Sequence, residues 1–228
     1  MTPLNIFIGY DPKETVAYHV LAHSIMTRSS KPVTITPIIK RQLRSVHRRA
    51  EDSKASTEFS FTRFLVPYLS NYSGWSLFMD CDMLVECDIN KLFNLADDRY
   101  SVMCVKHNHE PKESHKFLGN EQTQYEKKNW SSVMLMNNMK CARLHPQYVE
   151  TASGLELHQF KWLDSDDDIG ELPKEWNFLV GYDSKEEGKK ICNYHYTSGG
   201  PYFIEYKDCD YSDKWFNERS LMLHAAQS

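Results

Sequence analysis

No apolar run in this 228-residue sequence approaches the roughly eighteen residues of a membrane-spanning helix, so no membrane span is expected. The opening "MTPLNIFIGYD" has neither a basic n-region nor an apolar h-region, and nothing in it reads as a secretory signal. An excess of positive charge is also missing. The net charge of -4 gives no general attraction for nucleic acid or an anionic membrane, so any anionic ligand must be held by a local arrangement. A glycine-rich G-x-G-x-x-G loop is absent, which excludes the dinucleotide-binding manner of holding a nucleotide. The cysteines Cys81, Cys87, Cys104, Cys141, Cys192 and Cys209 form no C-x-x-C pair, so a zinc site lacks its spacing. The expectation is reduced, buried thiols in a cytosolic protein.

What is present is ordinary globular material, with 41% hydrophobic and 25% charged residues, and the length suits one α/β-sized unit. "LNIFIG" (4–9) reads as a strand. Thr15 to Thr27 carries Val16, Val20, Leu21 and Ile25 on a helical period, and Val33 to Ile39 reads as a second strand. This β-α-β opening predicts a mostly parallel central sheet flanked by helices, with its ligand crevice at strand carboxyl ends. The basic stretch 40–56 is a solvated loop or surface helix, or a flap that helps hold phosphate. Helices are expected over Glu58–Leu69, weakened beyond Pro67, then over "DINKLFNLAD", Gln147–Trp162 and Tyr211–Leu223. Buried strands are expected at 77–85, Val102–Val105, Val133–Met136 and in "KKICNYHYTSGGPYF". The polar excursion 111–129 is of a kind that shapes a substrate pocket.

The pattern D-x-D occurs at 80/82, 164/166, 166/168 and 208/210, and on its own proves little. Only Asp80 and Asp82 directly follow an apolar strand. In extended backbone they emerge on one face, and burial makes their mutual repulsion costly unless a cation or proton lies between them. Two chemistries use such a strand end. In one, both carboxylates hold magnesium or manganese that grips a diphosphate. In the other, Asp80 is a phosphoryl-accepting nucleophile and Asp82 a general acid, as in haloacid-dehalogenase-type phosphatases. Met83-Leu84-Val85 follow where that second pattern wants a small pair such as Gly-Thr.

Several segments together resemble one family. "IFIGYD" (6–11), "FTRFLVPYL" (61–69), "LFMDCDMLV" (77–85), "NWSSVMLMN" (129–137), "LPKEWNFLVG" (172–181) and "HYTSGGPYF" (195–203) are similar, in order, to GT-A-fold nucleotide-sugar glycosyltransferases. The likeness is to the retaining glycogenin and bacterial galactosyltransferase type, and most to small bacterial and phage-borne members. It implies a single domain over 1–228, with a nucleotide-binding part to about 105 and an acceptor and closing part from about 106. A cytoplasmic location, bacterial or in a phage's host, is the matching expectation.

By the same resemblance Ile8, Tyr10, Asp11, Arg63, Asp80 and Cys81 would meet the nucleotide. Asp80, Asp82 and His195 would hold Mn2+ or Mg2+. Ser198, Gly199 and Gly200 would approach the diphosphate through backbone N–H groups. The departures are specific. Gly200-Pro201-Tyr202 lacks the family's phosphate-binding lysine, which leaves Lys207 or the basic 40–49 segment to supply charge. Trp130-Ser131-Ser132 replaces an Asn-Ala-Gly motif. Asp166-Asp167-Asp168 corresponds loosely to the Asp-Gln-Asp that faces the transferred sugar, and this would make Asp167 and Asp168 catalytic. The implied activity is metal-dependent transfer of a hexose from a UDP-sugar to an acceptor hydroxyl, with retention. The alternatives are the phosphatase and a nucleotide-sugar-binding protein without activity.

Overall fold

The computed structural model describes residues 2–49, 57–108 and 126–224. Strand β1 (Leu4–Gly9), helix α1 (Thr15–Arg28) and strand β2 (Val33–Ile38) form the expected β-α-β opening of a parallel sheet, with Leu4 level with Val33 and Gly9 level with Ile38. β2 is an edge strand, and this is why it tolerates Pro37, which has no N–H to donate. The expected helix over 58–69 is instead a 3-10 turn, Thr62–Leu65, running into the short helix α2 (Val66–Leu69). Pro67 lies in the first turn of α2, where a missing N–H costs nothing.

The apolar stretch 75–85 is not one strand. It is β3 (Trp75–Met79), a break at residues 80–82, and β4 (Met83–Val85) in a different sheet. Helix α3 (Asn90–Phe93), β5 (Val102–Cys104) and β6 (Val133–Asn137) follow. The helix expected over 147–162 divides into α4 (Pro146–Thr151) and α5 (Gly154–His158). Ser153 starts α5 with a capping box, its side chain accepting from the Glu156 N–H while the Glu156 carboxylate accepts from the Ser153 N–H. The acidic run, read as turn, opens the strand β7 (Ile169–Glu171). Strands β8 (Phe178–Leu179) and β9 (Asn193–His195) and helix α6 (Ser212–His224) complete the order.

The large sheet has the order β2-β1-β3-β6-β5-β7, and only β6 opposes its neighbours, so the sheet is mostly parallel as expected. All five residues of β6 and four of β3 are buried, as continuous apolar strands covered on both faces should be. A small sheet, β4-β9-β8, stands at the carboxyl end of β3. Its other face packs Phe178, Tyr194 and Tyr196 against Trp215 of α6. Buried Glu218 of α6 accepts from Arg28 at 2.6 Å and pairs with His23 at 2.6 Å, which docks α6 on α1.

Cys87 and Cys192 are joined in a disulfide beyond the β4–β9 pair, with Cα atoms 4.8 Å apart. This corrects the expectation of reduced thiols throughout. Two cysteines far apart in sequence are brought together by strand pairing that spacing does not reveal. The other four are free. No helix among the described residues is long and apolar enough to cross a membrane. Most of the polar excursion 111–129 lies outside the described residues.

Gly9 ends β1 under the Phe59 ring, and a methyl group there would overlap that ring. Phe59 is 1% exposed and has nowhere to go. Gly9→Ala is expected to cost about 1–3 kcal/mol of stability by urea denaturation. An unchanged midpoint would show that the ring yields freely.

Candidate active site

The chain leaves the large sheet at Met79 and enters the small one at Met83, so residues 80–82 bridge the two. The Asp80 N–H donates to the Ser132 carbonyl at 2.9 Å, and the Tyr196 N–H donates to the Asp82 carbonyl at 2.9 Å. With the backbone held on both sides, the two carboxylates face one way and Cys81 the other. Asp80, Asp82 and His195 each present a ligand atom, and all three atoms lie within 4.8 Å of one another. His195 reaches this point because β9 pairs with β4, Met83 level with His195.

The protonation pattern of His195 follows from its partners. Asn177 Nδ2 donates to the Asn129 carbonyl at 3.3 Å and to Ser132 Oγ at 2.9 Å. A carbonyl can only accept, so the amide nitrogen must lie on that side and Oδ1 must face His195 Nδ1, 2.9 Å away. Nδ1 is therefore the protonated nitrogen. In the neutral ring Nε2 carries a lone pair, 3.4 Å from Asp82 Oδ1. A lone pair facing a carboxylate oxygen repels it unless a proton or a cation lies between. Oxygen and imidazole donors with a fixed outer partner are a set suited to manganese or magnesium.

Arg63 stands behind Asp80. Its guanidinium lies 5.2 Å from the centres of both the Phe59 and Phe78 rings; Nη1 forms an ion pair with Asp80 Oδ1 at 2.8 Å and donates to the Ser131 carbonyl at 3.0 Å. Arg63 is buried, and its guanidinium is engaged with Asp80. Ser131 Oγ in turn lies 2.7 Å from His158 Nδ1. A connected path thus runs from Asp80 through Arg63 and Ser131 to His158.

Behind Asp82 is Glu14, 3% exposed. Tyr202 donates to its Oε2 at 2.7 Å, and the Cys81 thiol lies 3.6 Å from the same oxygen. Burial first, then the charge of Asp82, push the Glu14 carboxyl up to about 8. Glu14 is thus protonated at neutral pH, and the same surroundings raise the Cys81 thiol and the Tyr202 phenol.

The remaining expected residues divide. Tyr10 is half-buried at the end of β1, with its hydroxyl 2.9 Å from Thr15 Oγ1 and its ring edge-on to Tyr18. Asp11 accepts from the N–H groups of Lys13 and Glu58, so its carboxylate ties two backbone turns together. Ile8 has no exposed surface, and its side chain belongs to the core. The side chain of Cys81 is likewise turned inward. Neither can touch a nucleotide through its side chain, because alternation along a strand sends every second residue into the core. The Gly199 N–H is spent on the Tyr196 carbonyl at 2.9 Å, which closes a turn rather than pointing at a diphosphate. Lys207 is exposed and its ion partner is Asp208 at 3.8 Å. In the basic segment, His47 pairs with Glu150, and Arg49 donates to carbonyls at the end of α4 and lies over Phe61.

Asp167 and Asp168 are not brought to the cluster. The Asp168 carbonyl accepts from Ser101 N–H, the Ser101 carbonyl accepts from Asn137 N–H, and Asn137 is level with Trp75. Asp168 therefore stands at the amino end of β3, about 17 Å along the strand from Asp80 at roughly 3.3 Å per residue. The structure thus places Asp167 and Asp168 apart from the triad. Asn177, Ser131, Ser132, His158 and Glu14 were not anticipated. Asn177 lies within "LPKEWNFLVG", and an asparagine beside a tryptophan in a matched segment was the available signal.

Comparison with known proteins places the chain in a family. The sequence profile of glycosyl transferase family 8 matches residues 15–198. "Protein CDI" of Arabidopsis thaliana is 48% identical over 223 residues, covering 95% of this chain and 86% of that protein. The chain is a GT-A glycosyltransferase by fold and belongs to glycosyl transferase family 8. Among solved structures it is similar to the glycosyltransferase GlyE of Streptococcus pneumoniae, with TM-score 0.66, 15% identity and coverage of 99% of this chain. It is also similar to the galactosyltransferase LgtC in complex with donor and acceptor sugar analogues, with TM-score 0.60, 11% identity and 95% of each chain covered. At these identities the likeness is one of fold. The chain spans 63% of GlyE and 50% of the bifunctional glycosyltransferase WbbM.

The Glu14 environment sets a sign for stability against pH. Its folded-state value is raised from 4.5 to about 8, so the unfolded chain releases the proton first and stability is lost as pH rises between those values. Glu14→Gln keeps an acceptor for Tyr202 and removes the titration. With metal chelated, the variant should match the parent near pH 4.5 and exceed it by roughly 2–4 kcal/mol above pH 8 in urea unfolding. Parallel curves for the two proteins would contradict the assignment.

Proposed function

We propose that this family 8 chain transfers a hexose from a UDP-sugar to an acceptor hydroxyl, in a metal-dependent reaction with retention. The observation that carries the proposal is the Asp80–Asp82–His195 triad, with the His195 Nε2 lone pair directed at Asp82 by Asn177. The charges support it. Arg63 offsets Asp80 and Glu14 is protonated, so the three carboxyl groups with Arg63 carry about one negative charge beside the His195 ring. Mn2+ or Mg2+ held by Asp80, Asp82 and His195 would turn this to net positive and neutralise charge developing on the diphosphate leaving group.

The protein's own residues orient and shield. Arg63 fixes the Asp80 carboxylate, Asn177 fixes the His195 ring, and the buried Cys81–Glu14–Tyr202 stack backs the turn that carries Asp82. Tyr10 and Asp11 close the end of β1 beside this turn, where the nucleoside would lie. Retention rests on the likeness to the glycogenin type. With Asp167 and Asp168 at the other end of the sheet, the departing phosphate oxygen would take the acceptor proton. The acceptor O–C1 bond forms as the C1–O bond to phosphate breaks. Family membership removes the phosphatase reading of Asp80 and Asp82. A protein that binds the sugar nucleotide without transferring sugar is an outcome that the test below detects.

Incubation with Mn2+ and a panel of UDP-sugars should release UDP from one or more donors, and Asp82→Ala should abolish both this release and Mn2+-dependent UDP binding. Full turnover by the variant would refute the proposal, and binding without release from any donor would favour the inactive form. Asn177→Ala should weaken Mn2+ binding about 10–100-fold through loss of ring orientation. Unaltered Mn2+ affinity in that variant would show that the amide does not set the histidine.

A further inference from the structure

A cavity of about 190 Å³ lies on the face of β9 opposite the triad, lined by Val180, Gly181, Tyr182, Tyr196, Ser198, Gly199, Tyr206, Cys209 and Asp210. Alternation along β9 divides the two sites. Asn193 and His195 point to the Asp82 side, whereas Tyr194 and Tyr196 point toward α6. The turn at Ser198–Gly199 borders the cavity just after the strand that delivers His195.

The cavity is built from fixed parts. Tyr196 is 1% exposed and its hydroxyl donates to the Tyr211 carbonyl at 2.9 Å, so the ring is locked in the wall, while half-buried Tyr182 and Tyr206 carry the accessible ring surface. Tyr206 lies flat against Gly199, where a methyl group would stand 2.6 Å from the ring, and Gly199 has φ +145°. Only glycine allows both that backbone and that contact. Gly181, at φ +81°, has open space where a side chain would project. Ser198 Oγ donates to the Tyr182 hydroxyl at 3.4 Å. Burial pushes the Cys209 thiol up to about 11, which leaves it neutral and unreactive.

We propose that this cavity binds one neutral pyranose ring, a unit of the acceptor glycan remote from the reacting hydroxyl. That the ring belongs to the acceptor rests on the transfer reading; that it is a neutral sugar rests on the cavity. The volume suits a single six-membered ring, since a cavity of roughly 150 Å³ accommodates benzene. Tyrosine surfaces suit the C–H face of a sugar, and the Asp210 carboxylate with the Ser198 and Tyr182 hydroxyls suits its O–H groups. Among the described residues no lysine, arginine or histidine lines the cavity, which argues against a phosphate or other anion.

The test is NMR titration of 15N-labelled protein, with EDTA and without UDP, using methyl α-D-glucopyranoside, methyl β-D-galactopyranoside and inorganic phosphate. Saturable shifts at cavity residues are expected from at least one glycoside and none from phosphate. Cys209→Phe, which fills the cavity, or Asp210→Ala, an exposed change that spares the fold, should weaken that binding about tenfold or more. Mn2+-dependent UDP binding of both variants should match the parent. Absence of saturable shifts from either glycoside, shifts unaffected in both variants, or shifts from phosphate alone would overturn the proposal. Failure of the parent to bind UDP would instead count against the transfer reading, and it leaves the glycoside result to stand or fall by itself.

Discussion

Asp80 and Asp82 leave the buried end of β3 with both carboxylates on one side, and the structure around them reads as a response to that charge. Two like charges under 5 Å apart repel by about 3 kcal/mol at an effective dielectric constant near 20. Two devices limit the cost. Arg63, inserted between two phenylalanine rings, neutralises Asp80, and Glu14 keeps its proton. His195, turned by Asn177, brings one more ligand atom to Asp82. What is left is a small, ordered excess of negative charge on partly exposed carboxylates, which is the condition for capturing a divalent cation.

Strand β9 works as a partition. One of its faces carries His195 to the triad, and the other carries Tyr196 to the apolar layer beneath α6. The strand is held by β4 along one edge and β8 along the other, with the Cys87–Cys192 bond next to the pair. α6 is clamped to α1 through Glu218 with His23 and Arg28. The metal-type cluster and the cavity behind it therefore stand on one rigid element, and the loop at Ser198–Gly199 joins their edges. This is an economical way for one short strand to present two different chemistries.

Much of the architecture was legible. The periods of 4–9, 15–27 and 33–39 predicted the opening unit because strand and helix repeats are local properties. The closing helix was readable for the same reason. The helix boundaries at 152–154 and the split of 75–85 were not. A capping serine and a change of sheet both depend on what the flanking residues pack against. The strand inside the acidic run was hidden because Ile169 and Gly170 gain their burial from β5, not from any pattern of their own. Lys207 shows the same limit, since a lysine near a glycine turn in sequence can still point to solvent.

By itself the sequence established that two carboxylates share a face at the end of an apolar strand, that a histidine precedes a glycine turn, and that a parallel sheet frames them. These follow from alternation and periodicity over a few residues. Tertiary structure alone decided the rest: which nitrogen of His195 faces Asp82, that Arg63 pairs with Asp80, that the Gly199 N–H is already used, and that Asp167 and Asp168 stand at the far end of the sheet. Each depends on the register between strands that are distant along the chain. Register is set by the summed burial and hydrogen bonding of whole strands, and no short window of sequence contains it.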